Sequence, residues 1–111
     1  MKFQLWLEQN IAKVYRGTGP IGMNHLRPSE EGVYGPGIYF YDNLKDATAF
    51  AEPNGGVVVA EVDLDDPEIQ VIEKPVYMVG TNIELRKSKI IIVPTADKIQ
   101  ILQQIPISEL S

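Results

Sequence analysis

Two short segments contain the residues whose types and spacing suit chemistry on a small molecule. Arg16-Gly17-Thr18 ends one apolar run, and Gly37-Ile38-Tyr39-Phe40 opens another. An arginine presents a rigid fork of N–H donors that matches a phosphate or carboxylate, and a tyrosine presents a flat face to a ring. The adjacent glycines permit close approach of a ligand to the backbone. Together the two segments predict a cleft that binds a nucleotide.

Each segment needs a strand to position it. Residues 12–16 are β-branched and aromatic in their middle, and residues 38–41 are so throughout, which predicts two strands. Residues 20–36 between them are rich in proline and glycine and follow no periodic pattern. An irregular connection of this length in a small domain is typical of a lid or a binding loop.

The remaining elements follow from apolar periodicity. Residues 1–11 predict an amphipathic helix that packs Trp6 onto the sheet, and residues 43–52 predict a second helix capped by Asp42 or Asn43. Residues 57–64 begin as a continuous apolar run and predict a central strand. Beyond it, runs of β character occur at 69–72, 76–79, 82–85, 89–93 and 99–105, and the basic stretch 86–89 predicts a solvated hairpin turn. A single α+β domain of six or seven strands is therefore expected over residues 1–111.

The composition limits the chemistry that this chain can perform. Ten basic against fifteen acidic residues give a net charge of −5, so the overall positive charge typical of a nucleic-acid binder is absent. With no cysteine and with His25 as the single histidine, a zinc centre is not expected. No segment approaches the ~20 apolar residues of a membrane span, which predicts a soluble cytoplasmic protein without membrane contact.

Several motifs occur in the order strand, loop, strand, helix and late strand: VYRGT at 14–18, GPGIYFYD at 35–42, A-x-x-F-A at 47–51 and KIIIVP at 89–94. They resemble the motifs of ADP-ribosyltransferases, which cleave NAD at its nicotinamide and pass ADP-ribose to an acceptor. The similarity spans residues 12–105. It implies a split, mostly antiparallel β-sheet of the ADP-ribosyltransferase type with two short helices, in a divergent small member of phage or bacterial type.

The resemblance also implies which residues bind NAD. Arg16 faces a phosphate or ribose, and Tyr39 stacks beneath the nicotinamide ring. Stacking is physically reasonable because an aromatic face attracts a ring that carries positive charge. Tyr34 and Tyr41 are alternatives for the stacking residue. The full predicted NAD-binding set is Arg16, Gly17, Thr18, Gly37, Ile38, Tyr39 and Phe40.

A catalytic carboxylate is needed to hold a ribose hydroxyl and to stabilise the positive charge that develops as the glycosidic bond breaks. In ADP-ribosyltransferases this glutamate usually precedes the late apolar strand, where this chain has 87–89 as Lys-Ser-Lys. Glu84 is the nearest carboxylate and the first choice, and it reaches the cleft if its strand begins at Asn82. Glu30 and Glu31 in the long loop are alternatives.

A route without glutamate remains open through Arg16, His25 and Arg27, because RNA 2′-phosphotransferases are relatives that use arginines and a histidine. The resemblance predicts an NAD-dependent mono-ADP-ribosyltransferase with catalytic residues Arg16, Tyr39 and Glu84. NAD is its substrate, and a protein acceptor is favoured over a nucleic acid. The alternative is a catalytically degenerate domain of this fold that binds or inhibits a host protein, as the acidic charge and the displaced glutamate suggest.

Overall fold

The computed structural model describes residues 10–30 and 32–110 of the 111-residue chain. The helix predicted over residues 1–11 falls almost entirely outside the described residues, and so does Glu31, one of the alternative carboxylates. At the end of that predicted helix, Ile11 is already the first residue of a strand.

The described chain forms an α+β fold with one six-stranded antiparallel sheet and two short helices, as the fold class predicts. Across the sheet the strand order is β4-β5-β2-β1-β3-β6. In chain order the elements are β1 (Ile11–Thr18), α1 (Pro20–Asn24), β2 (Ile38–Tyr41), α2 (Leu44–Thr48), β3 (Gly56–Asp63), β4 (Gln70–Tyr77), β5 (Glu84–Val93) and β6 (Gln100–Pro106), with 3₁₀ turns at Ala96–Lys98 and Ile107–Glu109.

The apolar run at 57–60 does form an inner strand. β3 pairs with β1 on one side and with β6 on the other, and residues 57–60 are all buried. A strand covered on both faces has no solvent side, which explains why its first half is uniformly apolar. The prediction for this segment is confirmed.

Each face of the sheet carries its own apolar cluster. One face holds the larger core, which consists of Val14, Ile38, Phe40, Ala60, Val62, Ile69, Ile91 and Val93. The opposite face holds a smaller cluster of Ala47, Val57 and Val59 beneath α2. Alternation along the strands separates the two sets, since successive side chains point to opposite faces.

The second half of the sheet contains two long strands. The four apolar runs that the sequence shows between 69 and 93 belong to β4 and β5, which pair antiparallel, and the six strands of the described sheet agree with the predicted number. Pro75 interrupts the pattern in the sequence but is tolerated within β4, because β4 is an edge strand and the missing N–H can face solvent. The turn predicted at 86–89 is wrong: these residues lie inside β5, where Lys87 forms an ion pair with Glu73 of β4 at 3.4 Å.

The segment at 20–36 is not wholly irregular. It begins with the single turn of α1, in which Pro20 occupies the start of the helix, and it returns to the sheet through a bridge between Ser29 and Gly37. Proline is favourable at this position because the first N–H of a helix has no partner within the helix. The long connection is therefore anchored at both ends.

The sheet opens between β1 and β2. β1 pairs with β3 along its whole length, from Ile11 opposite Asp63 to Thr18 opposite Gly56. Its described pairing with β2 is confined to Tyr15 opposite Tyr41. Beyond this pair, the C-terminal end of β1 and the N-terminal end of β2 diverge, which leaves space between Arg16 and Tyr39.

Helix α2 packs closely over the end of β1. The Asn43 side chain accepts a hydrogen bond from the Asp46 N–H at 2.9 Å, as the predicted cap requires. A side chain at Gly17 would overlap the carbonyl oxygen of Ala47. Glycine is required at position 17 for this close approach, which makes the helix a wall next to the opening in the sheet.

A polar network fastens α2 to β5. The Asp46 carboxylate accepts hydrogen bonds from both ends of the Arg86 guanidinium, at 2.5 and 3.1 Å, from Ser88 at 2.6 Å and from the Asn43 amide at 2.9 Å. The hydrogen bond from Arg86 is the main reason that the pKa of Asp46 lies below its usual range. The ionised carboxylate therefore stabilises the fold.

We expect Asp46→Asn to lower the free energy of unfolding by about 1–2 kcal/mol at pH 7. This value allows for solvent screening of the ion pair, because Arg86 is partly exposed. A carboxyl whose pKa is lower in the folded state than in the unfolded state contributes stability above the unfolded-state pKa of about 4. That contribution is lost as the pH falls from there through the folded-state pKa. The difference between the variant and the wild type should therefore shrink between pH 5 and pH 3. Urea denaturation across this range measures it.

Asp65→Asn is the matched control, because the Asp65 side chain is exposed and outside this network. A difference between Asp46→Asn and wild type that stays constant from pH 7 to pH 3 would contradict the assigned role of the charge.

Candidate functional site

A cleft of about 770 Å³ lies where β1 and β2 diverge, on the face of the sheet that carries α2. Cavities of this size accommodate small-molecule ligands of nucleotide dimensions. Its walls come from residues 16–22, from Ser29 and residues 32–34 of the long loop, from Tyr39 and Tyr41 of β2, from Phe50 and Glu52 after α2, and from Lys74 of β4 and Ile90 of β5. Most of the residues on these walls are polar, glycine or aromatic.

Arg16 bridges the two diverging strands. Its Nη1 donates a hydrogen bond of 2.9 Å to the carbonyl oxygen of Tyr39 on β2. A guanidinium has five N–H donors, so this bond leaves others for a ligand. Burial lowers the pKa of Arg16 from its usual value, but an arginine stays charged at neutral pH. The sequence predicted that Arg16 and Tyr39 share a cleft, and both residues line this one.

The Tyr39 hydroxyl holds the loop that faces Arg16. It donates a hydrogen bond of 2.5 Å to the Gly35 carbonyl and accepts one of 2.9 Å from the Tyr34 N–H. The hydroxyl is thus committed to the loop, and Tyr39 is also one of the residues that line the cleft. This geometry gives Tyr39 a loop-positioning role in addition to the predicted stacking role.

A second aromatic surface comes from Tyr41 and Phe50. Their rings are stacked, with centroids 5.3 Å apart and planes inclined by 11°, and both residues line the cleft. Burial, the Asp46 carboxylate and Tyr34 together raise the pKa of Tyr41, so its hydroxyl is neutral at pH 7. The Phe50 side chain is 57% exposed, which leaves it accessible to a planar ligand.

Two charged residues that the sequence analysis did not select also line the cleft. Glu52 follows α2, and Lys74 comes from the outer strand β4. Neither stands in a motif: Lys74 comes from a strand distant in sequence from β1 and β2, and Glu52 follows the short helix after β2. The proximity of residue 52 to the A-x-x-F-A helix was the available signal for Glu52.

The structure does not bring Glu84 to the cleft. Glu84 is the exposed first residue of β5 and pairs with Tyr77 at the far end of the β4–β5 hairpin. Ile90 is the β5 residue that lines the cleft. Six residues of strand separate them, or about 20 Å at the rise of an extended chain. The predicted start at Asn82 does not change this, because β5 begins at Glu84.

The other candidates lie elsewhere on the surface or in the core. His25, Arg27 and Glu30 are exposed and are not among the lining residues. Ile38 and Phe40 are fully buried, since alternation along β2 turns them away from the face that carries Tyr39. From the predicted NAD-binding set the lining retains Arg16, Gly17, Thr18 and Tyr39.

No known protein family, curated protein sequence or solved structure matches this chain to a significant extent. Among residues 10–30 and 32–110, no group of three or more acidic or histidine side chains is arranged to hold a metal ion. In the same part of the chain no helix is both long and apolar enough to cross a membrane.

Tyr39→Phe tests the loop-positioning role. Removal of the hydroxyl deletes both hydrogen bonds to the loop, and we expect the Tyr34 amide to exchange with solvent about tenfold faster, equivalent to about 1.4 kcal/mol. Hydrogen exchange measured by NMR checks this. Tyr77→Phe is the matched control, because Tyr77 is exposed at the end of β4. Equal exchange at Tyr34 in Tyr39→Phe and wild type would contradict the role.

Proposed function

We propose that this chain is an NAD-dependent mono-ADP-ribosyltransferase that acts in the cytoplasm and transfers ADP-ribose to a protein acceptor. The observation that carries the proposal is the meeting of Arg16 and Tyr39 across the opening in the sheet, within a cleft that also contains Gly17 and Thr18. These are the residues at which the sequence resembles ADP-ribosyltransferases, and they come from two different strands.

The cleft suits the parts of NAD. Arg16 and Lys74 are cations for the pyrophosphate, and the Arg16 fork can meet two phosphate oxygens at once. The Tyr39 ring and the stacked rings of Tyr41 and Phe50 offer flat faces to the nicotinamide and adenine rings. A dinucleotide requires both kinds of surface in one cavity, and this cleft supplies both.

The proposed reaction replaces one bond to the ribose with another. The bond between ribose C1′ and the nicotinamide nitrogen breaks, and its electron pair leaves with nicotinamide, which becomes neutral. A lone pair of the acceptor forms the new bond to C1′, and the acceptor loses its proton to solvent. Positive charge accumulates on the ribose between these events, so a carboxylate near the ribose lowers the barrier.

A second candidate function is a binding module that has lost catalysis. The observation in its favour is the apolar tip of the β4–β5 hairpin, defined as residues 77–85, where Tyr77, Met78, Val79, Ile83 and Leu85 are exposed. Val79 is 97% exposed. An exposed apolar group of this kind is typical of a protein-binding surface. The two functions differ in whether the wild-type protein cleaves NAD.

Arg16→Ala should weaken NAD binding by about 2–4 kcal/mol, because it removes a charged two-pronged contact to the substrate. Isothermal titration calorimetry measures the dissociation constant. Arg27→Ala is the matched arginine control, since Arg27 is exposed and outside the cleft. A thermal melt of each variant separates loss of binding from loss of folding, because Arg16 also links β1 to β2. Unchanged affinity in a folded Arg16→Ala variant would remove Arg16 from the site.

Wild-type protein incubated with NAD should release nicotinamide, with ADP-ribose transferred to water or to an added protein. Liquid chromatography quantifies the nicotinamide, and mass spectrometry detects an increase of one ADP-ribose unit on the acceptor. Binding of NAD without release of nicotinamide under any acceptor condition would favour the binding module. If the wild-type protein neither binds NAD nor releases nicotinamide, the proposed function is refuted.

A further inference from the structure

Glu52 is an exposed acidic residue that lines the cleft and has no role assigned above. Its backbone N–H donates a hydrogen bond of 3.3 Å to the carbonyl oxygen of Thr18 at the end of β1. This bond ties the segment after α2 to the strand that carries Arg16. Among the described residues that line the cleft, Glu52 supplies the carboxylate.

The Glu52 side chain lies against Gly19. A Cβ atom placed on Gly19 would be 2.5 Å from Glu52 Oε2 and 3.5 Å from Glu52 Cδ. The backbone of Gly19 is extended, with φ −79° and ψ −177°, a conformation open to any residue. The backbone angles at position 19 therefore do not require glycine, and the missing side chain leaves room for the carboxylate.

We propose that Glu52 is the catalytic carboxylate of the NAD-cleaving reaction, a role that rests on the proposed function. In this role Glu52 accepts a hydrogen bond from a hydroxyl of the nicotinamide ribose. Its negative charge then stabilises the positive charge that develops at ribose C1′ as the bond to nicotinamide breaks. Gly19 is a positioning residue, because its missing side chain lets the carboxylate occupy this place.

Glu52 meets the geometric requirement that Glu84 does not. Arg16, Thr18 and Glu52 line the same cleft. The Thr18 carbonyl accepts a hydrogen bond from the Glu52 backbone N–H. A substrate whose phosphates contact Arg16 has its ribose within the same cavity. Glu84 lies about 20 Å along β5 from the nearest lining residue of that strand.

Glu52→Gln preserves the shape of the side chain and removes its charge. A group that acts mainly in the transition state changes turnover more than substrate affinity. We expect nicotinamide release to fall by about 10²-fold or more, with the dissociation constant of NAD unchanged within about threefold. Glu109→Gln is the matched control and should retain wild-type turnover, because Glu109 is exposed in the last 3₁₀ turn, outside the cleft.

Gly19→Ala provides a second, independent variant. The added methyl group displaces the end of a flexible side chain rather than the backbone, so the fold should persist with the carboxylate moved. Turnover should fall by about tenfold or more. The double variant Gly19→Ala/Glu52→Gln should be no slower than Glu52→Gln alone. Once the Glu52 carboxylate has been removed, moving the side chain at position 52 has no further effect on turnover. Additive losses in the double variant would overturn the positioning role of Gly19.

The outcomes separate this proposal from the proposed function. Wild-type turnover in Glu52→Gln overturns the role of Glu52 and leaves the proposed function standing. The same conclusion follows if nicotinamide release is lost in Glu84→Gln but not in Glu52→Gln. A Glu52→Gln variant that is folded but binds NAD more than tenfold less tightly makes Glu52 a binding residue and also overturns its catalytic role. A wild-type protein that binds NAD without releasing nicotinamide, or binds no NAD, overturns both.

Discussion

The divergence of β1 from β2 is the constraint on which the rest of the structure depends. Antiparallel neighbours normally satisfy each other's backbone groups along their whole length, but here the pairing is confined to Tyr15 and Tyr41 among the described residues. The Arg16 side chain replaces part of the missing ladder by donating to the Tyr39 carbonyl. One residue therefore links the two strands and contributes a positive charge to the cleft.

Keeping the sheet open requires support from both sides. On the α2 side, Gly17 allows the helix to approach the end of β1, and Asp46 fastens the same helix to Arg86 and Ser88 of β5. These contacts connect the strands on the two sides of the opening through one short helix. A helix of five residues has little stability of its own, so its position depends on this packing and on the Asp46 network.

Ser29 and residues 32–34 of the long loop complete the cleft by a different kind of contact. The Tyr39 hydroxyl bonds Gly35 and Tyr34, and the Ser29–Gly37 bridge returns the chain to the sheet. At Gly37 the backbone φ is 148°, in the region that favours glycine, and a Cβ there would meet the Ile92 side chain. The G-I-Y-F motif thus has a structural explanation that holds whether or not a nucleotide binds.

The sequence alone was sufficient for features that depend on local pattern. The uniform apolar run at 57–60 indicated an inner strand, the alternation in 38–41 placed Tyr39 and Tyr41 on one face, and Asn43 was a recognisable helix cap. It was also sufficient to select Arg16 and Tyr39 as partners, because each lies near one end of a strand and within two residues of a glycine. Periodicity, capping and glycine content act over a few residues, and a sequence shows them directly.

Only the tertiary structure decided which charged residues share the cleft. Arg86 was predicted to lie in a turn, but it lies within β5 and pairs with Asp46 of α2. Glu84 looked close to the site because distance in sequence does not show the length of an extended strand. Glu52 and Lys74 do not belong to any motif that the sequence analysis recognised. They reach the cleft through strand order and helix packing, and these long-range pairings are set by burial of the whole core rather than by any local pattern.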